Sequence, residues 1–170
     1  NKMRSKIDAN EYKDYILGLI FYKFLSDKEE KYLTGQALTT EQLPLLIDDP
    51  NNEDAMELAI YCRESIGYFI AYDNLFSTWL KPESNFSIAQ LNGALNAFNR
   101  WVSDNYKSVY EGIFNTLQAG LTKLGDNATS QTRAINDIIK LIKDIPTDGS
   151  QDYDVLGYVY EFLIGNFAAN

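Results

Sequence analysis

From Asp8 to Lys28 the chain reads DANEYKDYILGLIFYKFLSDK, and no other stretch limits the possible fold as tightly. Asp8 and Glu11 have the spacing of a capping box, which predicts a helix beginning at Ala9. Tyr12, Tyr15, Ile16, Leu19, Ile20, Phe21, Tyr22, Phe24 and Leu25 then cover most of its circumference. A helix that is apolar nearly all round must be enclosed by others, so this one is expected at the centre of a helical domain. It is not a membrane span, because its longest apolar run, residues 16–25, is interrupted by Lys23 and falls well short of the roughly 20 residues a bilayer requires. Gly18 costs about 1 kcal/mol relative to alanine inside a helix, which points to a close approach by a neighbouring helix at that position.

The remaining chain supplies helices to enclose it. The segment LTGQALTTEQLPLLIDDPNN is rich in turn formers and reads as a loop with one short helical turn before Pro44. Asn52 is placed to cap a second helix running to about Ser65, with Glu53 and Asp54 favourable in its first turn. Gly67 ends that helix, and YFIAY predicts a short extended segment over Tyr68–Tyr72, followed by a brief helix from Asn74 that stops before Pro82. Ser87 and Gln90 form a capping-box pattern, with Phe86 positioned to staple onto Leu91. Leu91, Leu95, Phe98 and Val102 then repeat at helical spacing, so this helix faces the core on one side only. After a less regular, glycine-punctuated stretch, a helix from about Ser130 carries Ile135, Ile138, Ile139, Ile142 and Ile145 on one face and ends at Pro146. A last helix is expected after Asp152. The fold class is therefore all-α, a helical bundle with a short extended segment near Tyr68–Tyr72, in one domain over residues 1–170.

Composition removes several kinds of chemistry. The chain of 170 residues contains no histidine and one cysteine, Cys62, which excludes Ser-His and Cys-His catalysis, histidine-ligated metal sites, a thiolate cluster and an intrachain disulfide. Neither G-x-G-x-x-G nor G-x-x-x-x-G-K-S/T occurs, so no loop is built to cradle a phosphate. TDGSQDYD lacks the glycine and glutamate register of an EF-hand and reads as a solvated turn with a cap. The carboxylate pairs Asp48 with Asp49 and Glu29 with Glu30 are expected on solvated faces. Asn85 and Asn127 match the glycosylation pattern, but no secretory signal is visible and helix capping accounts for the first. The cytoplasm is the expected compartment.

Two surfaces offer partners. In the last helix, Leu156, Val159, Tyr160, Leu163 and Phe167 form one apolar face while Val155, Tyr158 and Phe162 line a second, a candidate docking face for a following domain. An equal alternative buries both faces within this domain. A net charge of -9 argues against a surface broadly attractive to nucleic acid or anionic lipid, so any DNA contact must be local. Arg4 and Lys6, with Lys2, are the candidates for such a contact, against the commoner role of a solubilising terminus.

The stretches IDANEYKDYILGLIFYKFLSDKEEKY, GYFIAYDNLF, EGIF and DVLGYVYEFLIGNFAAN, in this order, closely resemble the N-terminal helical domain of the modification subunit (HsdM) of type I restriction-modification enzymes. Tyr158 stands where the family often has an acidic residue. The resemblance implies a subunit that transfers a methyl group from S-adenosylmethionine to N6 of adenine in a bipartite double-stranded DNA site. It also implies partners: the chain's own catalytic domain, a second modification subunit, a specificity subunit and a restriction subunit, with no membrane involved. The glycine-rich cofactor motif and the NPPF-type motif of that catalytic domain have no counterpart in these residues, so residues 1–170 are expected to hold no catalytic, cofactor or metal site and to act in assembly and DNA clamping. The absence of an initiating methionine and the helix-like NFAAN at the end suggest a piece of a longer protein. The competing expectation is a free-standing acidic helical adaptor.

Overall fold

The computed structural model describes residues 9–147, the side chains of residues 9–12 excepted. Within them the chain is all-α, with no strand among the described residues. Helix α1 spans Ala9–Gln36, α2 Glu53–Ile66, α3 Phe76–Trp79, α4 Ile88–Trp101, α5 Lys107–Tyr110, α6 Asn115–Gly120 and α7 Ala128–Ile142. Short 3-10 turns at Thr40–Leu45, Tyr72–Asn74, Pro82–Ser84, Asp104–Tyr106 and Leu121–Leu124 join them. Pro44 lies inside the first of these turns rather than after it. The expected cap Asp8 and the last helix lie outside the described residues.

The enclosed position of α1 follows from its side chains. Ile16, Leu19, Ile20, Tyr22, Leu25 and Leu33 are fully buried, and α2, α3, α6 and α7 all pack against the helix. Gly18 allows a close approach by α6: a Cβ built there would lie 3.0 Å from Cβ and from Cδ2 of Leu117. Three residues further along α6, the Gly120 carbonyl accepts from the Tyr15 hydroxyl, so the same crossing is fixed by a hydrogen bond.

Local signals set most of the other boundaries. Asn52 Oδ1 accepts from the Ala55 amide at 3.1 Å to start α2, and Gly67 ends it in the left-handed region at φ 96°, where a side chain would be strained. The Tyr106 ring fills the space a Cβ would need at Gly67. Ser87 starts α4 by accepting from the Gln90 amide at 3.2 Å, but the reciprocal half of the expected capping box is not made. Gln90 turns away instead, its side-chain amide donating to Asn74 Oδ1 at 2.7 Å and to the Asp73 carbonyl, because that loop brings acceptors within reach. Helix α7 begins at Ala128, two residues before Ser130, since Asn127 accepts from the Ser130 amide and the Ser130 hydroxyl returns a bond to Asn127. Its face of Ile135, Ile138, Ile139 and Ile142 is buried, with Ile145 half-buried beyond it.

Tyr68, Phe69 and Ile70 form a buried, non-helical link between α2 and α3, while Tyr72 already belongs to the next turn. The link pairs with no strand. The Ile70 amide and the Tyr68 hydroxyl bond to α1 instead, and the Tyr68 carbonyl accepts from the Cys62 thiol on α2.

Candidate functional site: a polar seam on the central helix and the clefts beside it

Residues 22–30 of α1 carry polar groups on a face that propensity alone would give to the core. The Tyr22 hydroxyl donates to the Asn74 carbonyl at 2.8 Å, Ser26 Oγ accepts from the Phe76 amide at 2.8 Å, and the Tyr68 hydroxyl donates to the Leu25 carbonyl at 2.7 Å. Glu30 accepts from the Ser77 hydroxyl. Each bond ties the 68–77 link to the central helix, so that link takes its shape from side chains and needs no sheet.

Glu29 overturns the expectation of a solvated carboxylate pair. Its side chain is 0% exposed, and Oε1 accepts from the Ile70 amide at 2.7 Å and from the Cys62 thiol at 3.3 Å, while Oε2 has no hydrogen-bond partner. Burial pushes its pKa well above the ordinary glutamate value, and the two donors to Oε1 offset only part of that. The Cys62 thiol is held in its protonated form by its own burial and by Glu29, so it packs and donates rather than acting as a nucleophile. Adjacent glutamates occupy different faces of a helix, so the exposure of one says nothing of the other. Read singly, Glu29 lies four residues from both Leu25 and Leu33, on the stripe that is buried.

A second polar cluster closes the described chain onto α1. Lys23, 6% exposed, donates to Asp27 Oδ2 at 2.9 Å, to the Ile145 carbonyl at 2.8 Å and to Thr147 Oγ1 at 2.6 Å. Thr147 in turn donates to the same Asp27 oxygen at 2.7 Å. All three lysine donors are therefore used, and the chain leaving α7 is clasped to the middle of the central helix. Asp27, Glu30, Ser77 and Thr147 also line an open cleft of about 700 Å³ that runs between α1 and the Thr40–Leu45 turn, with Lys31 and Lys81 on its walls.

A third feature lies on the opposite side of α3. Trp79, Phe86 and Ile139 floor a cleft of about 560 Å³ whose charged lining residues are Lys81, Lys140 and Lys143. Trp79 and Phe86 stack with ring centroids 4.3 Å apart, which makes that floor rigid. Asp48 accepts from Trp101 Nε1 at 2.9 Å and pairs with Arg100 at the far end of α4.

Among the described residues no group of His, Cys, Asp or Glu side chains is arranged to hold a metal ion, and no helix is long and apolar enough to cross a membrane. The docking candidates Val155, Tyr158 and Phe162 and the DNA-contact candidates Arg4 and Lys6 lie outside the described residues. The seam and the clasp were missed in the sequence because a polar residue on a buried stripe finds its partners through tertiary contacts.

Comparison with known proteins accounts for this architecture. Residues 1–144 match the family described as the HsdM N-terminal domain. The chain is 26% identical over its whole length to the type I restriction enzyme MpnII methylase subunit of Mycoplasma pneumoniae, of which it covers 33%. Its fold matches the crystal structure of the type I restriction-modification system methyltransferase subunit from Streptococcus thermophilus with a TM-score of 0.71 and 27% identity, covering 98% of this chain and 36% of that one. The chain thus spans about a third of the length of these relatives. The family match spans residues 1–144 of the 170, and the chain belongs to the HsdM N-terminal domain family.

Proposed function

We propose that this domain is the assembly and DNA-clamping element of the modification subunit of a type I restriction-modification system. A catalytic domain following residue 170 would transfer the methyl group of S-adenosylmethionine to the N6 amino group of adenine in double-stranded DNA. The observation that carries this reading is the end-to-end match of the chain to about a third of each of two methylase subunits, one by sequence and one by fold. That match favours it over a free-standing acidic adaptor.

The geometry supports a mechanical role. A spine largely buried over residues 15–29 and tied by side-chain bonds to the 68–77 link is a stiff block, and stiffness is what a clamp needs to hold partners at fixed spacing. The clasp of Lys23, Asp27 and Thr147 fixes the direction in which the chain leaves α7, so a following domain would be launched from a defined point. Val155, Tyr158 and Phe162 would then dock that domain. A specificity subunit, a second modification subunit and a restriction subunit complete the proposed assembly.

The test uses the intact subunit mixed with its specificity subunit and labelled S-adenosylmethionine. Transfer of label to adenine in duplex DNA, together with a sedimenting complex holding two modification subunits, is the expected result. No transfer and no complex would return the adaptor to first place.

A further inference from the structure

The basic cleft beside α3 stands out against the chain's overall charge. Fifteen Lys and Arg residues face twenty-four Asp and Glu residues, yet the cleft floored by Trp79, Phe86 and Ile139 has only lysines among its charged lining residues. The neighbouring clefts are mixed: the large one beside α1 carries Asp27, Glu30 and Glu41, and the one on the far side of Lys81 carries Asp73 and Glu83. Charges on exposed surfaces are screened over about 10 Å at 0.1 M salt, so a phosphate entering the cleft responds to these lysines more than to the net charge.

The helix explains the sorting. Thr132, Asn136, Ile139 and Lys140 fall on one face of α7 and Lys143 caps its end, while the neighbouring Asp137 and Asp144 line no part of the cleft. Lys140 and Lys143 are exposed and form no ion pair among the described residues. Lys81 lines the cleft from the turn after α3, but its ammonium donates to the Tyr72 hydroxyl at 2.7 Å on the side of the two mixed clefts, which leaves this cleft to Lys140 and Lys143. The wall beside them is stiff. Thr132 Oγ1 accepts from the Ile88 amide at 2.9 Å, and Asn136 donates to the Phe86 and Thr132 carbonyls.

We propose that this cleft seats the phosphate backbone of duplex DNA, with Lys140 and Lys143 as its contacts. The proposal rests on the DNA methyltransferase reading and adds where, on this domain, the duplex is held. Lysine offers a point charge without base-reading geometry, and a duplex carries one negative charge per about 1.7 Å of its axis. The contacts therefore add affinity without sequence preference, which suits a subunit whose partner reads the sequence.

The test compares the intact modification subunit, assembled with its specificity subunit, with its K140A/K143A variant. Binding to a duplex containing the recognition site and to an unrelated duplex is measured from 50 to 300 mM salt. The variant is expected to bind both duplexes more weakly and to lose about one unit of log-log salt slope per lysine. A control with the exposed residues Lys13 and Lys107 changed to alanine removes the same charge and is expected to keep the wild-type slope. A double variant with the wild-type slope, or a control that loses as much, overturns the cleft while leaving the methyltransferase reading intact. A double variant that keeps its slope but sheds a subunit in sedimentation would assign the lysines to an acidic protein partner and also overturns it. A wild-type assembly that binds no DNA and transfers no methyl group overturns both readings.

Discussion

Glu29 is a carboxyl group with one oxygen fully used and the other without a partner, in a site with no exposure to water. Because burial raises its folded pKa above the unfolded value, the folded protein retains a proton that the unfolded chain gives up. The stability that Glu29 contributes is thus complete below the ordinary glutamate range and is lost as pH climbs toward the raised value. Replacing it with glutamine keeps the acceptor for Ile70 and Cys62 but removes the titration. Thermal melts from pH 5 to pH 9 are expected to show Glu29→Gln gaining on the wild type as pH rises; parallel curves would mean that the carboxyl does not titrate with folding. Glu29→Ala strips the Ile70 amide of its acceptor and is expected to cost roughly 1–3 kcal/mol at every pH.

At the scale of single elements, the crossing of α1 and α6 depends on Gly18. Alanine there gains up to about 1 kcal/mol of helix propensity but presses on Leu117 at 3.0 Å, so Gly18→Ala should leave the melting temperature nearly unchanged. Gly18→Leu has no such compensation and is expected to lose about 1–3 kcal/mol by overpacking, visible as a lower melting temperature. An unaltered melt for the leucine variant would refute the close crossing. The exit of α7 makes a separate prediction. Lys23→Ala leaves Asp27 without its cation in a largely buried position and should cost about 1–3 kcal/mol, whereas Thr147→Val should cost nearer 1 kcal/mol. Amide exchange near Ile145 reads the clasp directly: protection is expected to fall in the lysine variant while that of α4 is retained.

At the scale of the whole molecule, the buried apolar side chains from Tyr15 to Ile142 form one contiguous cluster, so the described residues have a single core. The two tryptophans sample different parts of it: Trp79 stacks on Tyr22 and Phe86, and Trp101 packs edge-on against Phe69 beside Asp48. One core predicts one transition. Urea unfolding followed by tryptophan fluorescence in single-tryptophan variants is expected to share a midpoint with far-ultraviolet circular dichroism, and separated midpoints would divide the domain into independent units. That unity would let a bond at Glu29 or Thr147 influence the geometry of the proposed clamp.

The caps at Asn52 and Ser87, the stop at Gly67 and the isoleucine face of α7 were all legible along the chain. Each depends on residues within about four positions of one another, and a local rule can see that far. The central place of α1 was legible too, because a helix without a polar face has only one place to go. The partner at Gly18 was not, since Leu117 lies 99 positions later and only the packed structure brings it there. The same is true of the polar seam: Glu29, Ser26 and Lys23 sit on a buried helix, and whether such residues are tolerated depends on amides and hydroxyls from residues 70, 76 and 147. Lys140 and Lys143 meet the aromatic floor of the basic cleft only after α3 and α7 have folded around α1. Composition, capping and periodicity determined which elements form and which face the core. The tertiary structure decided which polar groups meet inside it, because a hydrogen bond or a cluster of charge is set by distance in space, and sequence spacing fixes that distance only within a single helix or turn.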